Sequence, residues 1–210
     1  VISTYTCGFD ELRGGTSSDE KMGALVYKIA RDQRDERISF IRVMQGMLHL
    51  KDNVAVRTES GELRHEKINQ IRIYSGQKYT MVDSASPGDI CAITGVGSSR
   101  AGRGIEALAE AETRNGIIEP YLSYRIIPEE RVEQNKFVAD MRVLEEEDPK
   151  LHISVEQGLR GVNIRLMGEV QQEILETQIM NRFGYRVRFE AGNIIYKETV
   201  TEAVEGIGHF

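Results

Sequence analysis

Cysteine is scarce in this chain, and the two that occur, Cys7 and Cys91, lie far apart without metal-ligand spacing. That argues against a disulfide framework and a thiolate-built metal site, and both read as free thiols of a reduced, cytoplasmic compartment. No apolar run approaches the ~20 residues that cross a bilayer, and no basic-then-apolar leader opens the chain, so no membrane partner is expected. An excess of positive charge is missing as well: 27 Lys and Arg stand against 33 Asp and Glu, a formal net charge of −6. Any contact with RNA must therefore be local rather than a property of the whole surface. The four histidines, His49, His65, His152 and His209, are scattered, and no nucleophile, base and orienting group can be assembled. No G-x-x-x-x-G-K-[ST] loop occurs. The Gly95–Gly104 stretch GVGSSRAGRG imitates one but lacks its Lys, and it reads as a solvated loop between domains. No catalytic, cofactor-binding or metal-binding residue is assigned. Glu145, Glu146, Glu147 and Asp148 end a helical pattern before Pro149 and read as a solvated face, not a cation site.

What is present is an ordinary globular composition, 40% apolar and 29% charged, in 210 residues, enough for two modest domains. Val1 replaces an initiator Met and the chain stops in a strand-like stretch at Phe210, the look of a piece cut from something longer. Residues 1–21, with Gly14, Gly15, Thr16, Ser17 and Ser18, read as a linker or the trailing end of a preceding domain.

From residue 22 to 104 short β-type runs follow one another: 24–29, 37–43, 53–56, 67–73 and 89–96. In the second of these, apolar side chains fall on both faces, as in a strand that bends across a barrel. The expectation is a closed β-barrel, which also removes exposed edges. Residues 105–117, IEALAEAETRNGI, read as a linker or a short helix. From 118 to 192 the patterns run strand, helix, strand, strand, helix, strand, the order of a ferredoxin-like βαββαβ sandwich. Phe137, Met141 and Leu144 define one face of its first helix, ended by Pro149. Its second helix spans about Glu169 to Phe183, with Val170, Ile174, Leu175, Gln178 and Ile179 as its apolar stripe and Gly184 as its stop. Leu122, Tyr124 and Ile126, and Tyr185, Val187 and Phe189, alternate as outer strands. HISV at 152–155 and VNIRL at 162–166 form a middle hairpin turned by Leu159 to Gly161.

The string LEEEDPKLHISV at 144–155, then IRLMGEVQQEIL at 164–175, then IIYKETV at 194–200, resembles the third domain and the opening of the fourth domain of elongation factor G. It also resembles the family's relatives, the tetracycline-resistance ribosomal protection proteins. Upstream, GALVYKI at 23–29, ISFIRVMQGMLHLKDNVAV at 38–56 and PGDICAITGV at 87–96 resemble the family's second domain. The resemblance implies a translation-factor β-barrel, a ferredoxin-like domain and, from 193 to 210, the start of a truncated domain IV. Where the family commonly carries Gly-Met-Gly-Glu-Leu-His, this chain has Leu166, Met167, Gly168, Glu169, Val170 and Gln171, which marks a divergent member.

By resemblance the region is non-catalytic: it binds the ribosome, through small-subunit RNA and protein, and relays conformational change. GTP and Mg2+ belong to a G domain absent from this chain, and the further partners are that G domain and domains IV and V. The alternative is the same region of a tetracycline-resistance protein; a stand-alone RNA- or protein-binding module is the third reading. Two basic groups are candidate ribosome contacts. Arg31, Arg34 and Arg37 lie at the first turn of the barrel, interrupted by Asp32, Asp35 and Glu36. Arg182, Arg186 and Arg188 follow the second helix, and alternation points Arg186 and Arg188 to one outer face.

Overall fold

A computed structural model of the chain describes residues 21–32, 34–58, 60–76, 78–111, 120, 122–155 and 160–194, the last three by backbone alone. The linker reading of 1–20, most of 112–121, the turn residue Leu159 and the segment after Ile194 lie outside the described residues, as do Cys7 and His209. The chain divides into two compact units at residue 117, with the short segment Glu146–Pro149 grouped with the first.

The first unit is built from β1 (Gly23–Arg31), β2 (Arg37–Gln45), β3 (Leu48–His49), β4 (Asn53–Arg57), β5 (Leu63–Lys67), β6 (Gln70–Ser75), β7 (Lys78–Val82), β8 (Ser84–Ala85), β9 (Ile90–Thr94) and β10 (Gly104–Glu106). Eight of these form one antiparallel sheet in the order β5-β4-β10-β1-β2-β9-β6-β7, and β3 pairs with β8. Val54 and Val56 on β4 share a single core cluster with Ile71 on β6, although four strands intervene. In a flat sheet five strand spacings would hold them about 24 Å apart, so the sheet must curl round its own core. Backbone bonds from Lys51 N–H to Ile68 O (3.1 Å) and from Ile68 N–H to Asp52 O (2.9 Å) tie the approaches to β4 and β6 together. The expected β-barrel is thus observed.

Three details depart from the sequence reading. The 67–73 run is not one strand: β5 ends at Lys67, Ile68 turns into the core, and β6 starts at Gln70. Ile105 and Glu106, assigned to a linker, are strand residues, with Ile105 fully buried between β1 and β4 partners. The stretch from Gly95 to Arg103 is not a solvated loop between domains but connects β9 to β10 within the barrel. Its Ser98 gives its N–H (3.0 Å) and hydroxyl (2.6 Å) to Glu66, and Ser99 is buried.

The second unit contains β11 (Leu122–Pro128), α1 (Gln134–Glu147), a 3-10 turn at Pro149–Leu151, β12 (Val162–Leu166), α2 (Glu169–Phe183) and β13 (Val187–Ile194). The sheet order is β12-β11-β13, antiparallel throughout. Phe137, Met141 and Leu144 of α1 and Leu175 and Ile179 of α2 join Ile126, Ile164, Leu166 and Val187 in one core, so both helices cover the same sheet face. Gly184 ends α2 in the left-handed conformation, φ 79°, its N–H returning to the Met180 carbonyl.

The expected strand at 152–155 is reduced to one bridge, Ser154 to Asn163, on the outer edge of β12. The cause is local. His152 takes φ 42°, which breaks the extended run, and the Ile153 N–H is claimed by the Glu145 carboxylate at 2.8 Å instead of a strand partner. With that bridge the order is still that of a ferredoxin-like sheet, its fourth strand shortened. Gly161, at φ 96°, passes so close to β11 that a Cβ would collide with the Ile126 carbonyl.

Candidate functional site

The β1–β2 turn carries the first basic group, and its shape is set by Asp32. One carboxylate oxygen of Asp32 accepts the N–H groups of Arg34 (2.8 Å) and Glu36 (3.0 Å), which winds the turn tightly enough to place Asp35 at φ 59°. The other oxygen accepts from Arg72 on β6 at 3.1 Å, and Arg72 also donates to Glu36 (2.5 Å) and Gln70 (2.8 Å). Arg72 is 2% exposed, and its guanidinium lies 4.6 Å from the centroid of the Tyr79 ring. Burial disfavours its charge, but bonds to Tyr74, Asp32 and Glu36 outweigh that and raise its pKa. Asp32 responds in the opposite direction: burial would raise its pKa, yet the Arg34 and Glu36 N–H groups and Arg72 hold it below the usual carboxylate range.

The three arginines of this group have separate fates. Arg34 is exposed at the tip. Arg31 reaches back to Asp35, to its carbonyl at 3.1 Å and its carboxylate at 3.4 Å. Arg37 points into the β9–β10 loop and donates to the carbonyls of Val96 (2.7 Å) and Ser99 (2.5 Å) and to the Ser99 hydroxyl (3.0 Å). It clips a loop; its hydrogen-bonding capacity is largely spent inside the barrel.

Beside this turn the outer barrel face carries a row of rings. Tyr27, Phe40, Tyr74 and Tyr79 follow one another at centroid distances of 6.1, 5.4 and 5.3 Å. Phe40 and Tyr74 sit on strands separated by β9, whose Ala92, the partner of Phe40 and of Arg72, is small and fully buried. Turn and rings enclose an open cleft of about 680 Å³, floored by Phe40, Tyr74 and Arg72 and flanked by Arg34, Tyr79 and Met81. No single stretch of sequence spells out the cleft, since its residues come from three separate runs.

In the second unit Arg186 and Arg188 are exposed on either side of buried Val187, as alternation requires. Arg188 pairs with Glu190 on the surface at 3.1 Å, and the Arg186 N–H is held by Glu130 at 2.8 Å. Arg182 stands apart, on the last turn of α2, its guanidinium 5.7 Å from the Phe183 ring. At the junction before α2, Gln171 accepts the Met167 N–H at 2.9 Å. Val170 and Ile174, expected to face the core, are 72% and 53% exposed. At 100° per residue Val170 stands about 140° round the helix from buried Leu175, so they cannot share a face.

Comparison with known proteins gives each unit a family. Residues 21–107 match the family "Elongation factor G domain 2", and residues 117–191 match "Elongation Factor G, domain III". The two regions belong to the elongation factor G family. Over most of the chain, an oxytetracycline resistance protein from Streptomyces rimosus is 31% identical over 179 residues, covering 83% of this chain and 27% of that protein. Elongation factor G from Thermotoga neapolitana is 30% identical over 194 residues, covering 91% of the chain and 28% of that protein. Elongation factor G from Amoebophilus asiaticus is 28% identical, with 89% and 26% covered. The chain therefore spans little more than a quarter of the length of these relatives. Among the described residues no group of three or more His, Cys, Asp or Glu is placed to hold a metal, and no helix is long and apolar enough to cross a membrane.

Proposed function

We propose that this chain is the non-catalytic, ribosome-binding and conformational-relay region of an elongation factor G-like translational GTPase working in the cytoplasm. What carries the reading is the succession of two family matches, second domain then third, in one chain. The parent's GTP and Mg2+ would be held by a G domain outside this sequence, and its work done on the ribosome. Within the chain we assign 22–106, which takes in β10, as the ribosome-facing barrel, 107–117 as the connection, 118–192 as the relay domain and 193–210 as the opening of a fourth domain. A barrel and a sheet-and-helix layer are each stiff, and stiff parts joined by a short connection convert a small rotation into displacement of a distant surface.

The similarity to an oxytetracycline resistance protein supports a second reading, the same region of a ribosomal protection protein. Translocation by the full-length parent on tetracycline-free ribosomes would favour the first reading, and release of bound tetracycline without translocation would favour the second.

Arg34 and the pair Arg186 and Arg188 are the proposed RNA contacts, since all three are exposed. Changing Arg186 and Arg188 together to Glu in the parent should weaken ribosome association about tenfold at low salt and spare intrinsic GTP hydrolysis. Co-sedimentation with ribosomes that does not change would remove this face from the proposal.

A further inference from the structure

The aromatic cleft of the barrel has the makings of a binding site. Its volume, about 680 Å³, lies in the range of sites that enclose small organic groups. Its rings are fixed: Tyr74 is braced by Phe40 on one side and Tyr79 on the other, and Tyr79 rests against Arg72. Tyr79 and Met81 are nevertheless 46% and 63% exposed. Three guanidinium groups, from Arg31, Arg34 and Arg72, line the cleft against two carboxylates, from Asp32 and Glu36. Both carboxylates are turned onto Arg72, whose single charge offsets one of the two, and Arg34 on the same cleft balances the other. Arg34, at the exposed tip of the wall, supplies positive charge at the cleft mouth.

Rings that are half-exposed and rigid, with a cation at the rim, are the combination that stacks a nucleobase and neutralises its phosphate. A duplex keeps its bases paired and inaccessible to such a cleft, so the matching ligand is single-stranded. We propose that this cleft takes an unpaired base of single-stranded RNA, stacked on Tyr79, with the adjoining phosphate at Arg34. The proposal deepens the ribosome-binding reading and rests on it only for the natural source of the RNA. Purines should be preferred, because stacking strength grows with ring area.

The 210-residue chain can be tested directly with fluorescently labelled hexa-adenylate, followed by anisotropy. Saturable binding is expected, weakened about tenfold or more by Tyr79→Ala and within twofold of the original for Tyr79→Phe. Met81→Glu, at a more exposed position on the same wall, should weaken binding in the same direction, and it covers the case in which Tyr79→Ala fails to fold. Arg34→Gln should lower the salt dependence, log K against log salt, by about 0.7. Equal binding of an abasic ribose-phosphate chain of the same length would overturn the proposal, since phosphates alone would then account for the affinity. So would an unchanged affinity in both Tyr79→Ala and Met81→Glu, or displacement of the oligonucleotide by an acidic peptide at equal concentration. These outcomes leave ribosome association of the parent untouched, so failure of the cleft and failure of the relay reading are told apart.

Discussion

In the barrel, Arg72, Arg37 and Glu66 reach from strands to hold loops, whereas in the α+β unit the helices are held by Phe137, Met141, Leu175 and Ile179. The difference follows from architecture. A curled sheet of short strands has many turns, whose N–H and carbonyl groups need partners once they are drawn inward. Charged side chains with several hydrogen-bonding atoms supply them. Two helices on one sheet face satisfy their own backbones, so what remains is to fill the space between layers. The barrel consequently presents fixed charge and fixed rings at its surface, which suits recognition, while the second unit presents a packed slab, which suits transmission of movement.

The comparison can be broken most severely in the α+β core. Phe137 is fully buried, its ring 5.8 Å from that of Tyr185. Phe137→Ala should destabilise that unit by about 3–5 kcal/mol, the transfer of a ring plus the cavity it leaves. Denaturant unfolding followed by amide exchange in β11 and α2 would report it, and a loss under ~1 kcal/mol would mean that packing is not what holds the helices.

The corresponding test in the barrel is Arg72→Met, which keeps the stem and removes the charge. It strands Asp32 and Glu36, whose side chains are 19% and 42% exposed and so recover part of their hydration. A fully buried pair would lose ~3–5 kcal/mol on such a change, and the partial exposure brings the expected loss to about 2–3 kcal/mol. Thermal unfolding of this variant beside Phe137→Ala gives the order directly. A larger loss for Arg72→Met would reverse the contrast between the two units.

Much of this was legible beforehand where a pattern repeats. The three-and-four spacing of Phe137, Met141 and Leu144 marked α1, and Gly184 marked the end of α2 at Phe183, as observed. Alternation marked β11 and β13. Edge strands were not legible: every residue of Leu63–Lys67 except Glu66 is exposed, so no alternation exists to be read. The cleft was hidden for a different reason. Arg72 looks like an outward charge on an alternating strand, and only the fold brings Asp32 and Glu36 to it from the β1–β2 turn. Arg37 misled in the converse way, since a basic residue in a charged run gives no sign that its guanidinium turns inward to Val96 and Ser99.

The smallest expected effect is a pH dependence confined to the barrel's carboxylate clips. Glu106 accepts the Ala55 N–H at 2.5 Å and pairs with Lys21 at 2.7 Å. Burial would raise its pKa, but Lys21, the Ala55 N–H and the more distant His65 lower it, and Asp32 is lowered likewise. A carboxyl whose pKa is depressed on folding stabilises the folded state when ionised. Its contribution is complete above the ordinary carboxylate range, near pH 4, and disappears as pH falls through the depressed value. Asp32→Asn with Glu106→Gln keeps the side-chain shapes and removes the titration. The original chain should therefore lose more stability between pH 6 and pH 3 than the double variant, by about 1 kcal/mol per group or less, because both groups retain some contact with water. Melting temperatures of the two proteins across that interval should converge as pH falls; parallel curves would mean that neither carboxylate contributes to holding the barrel.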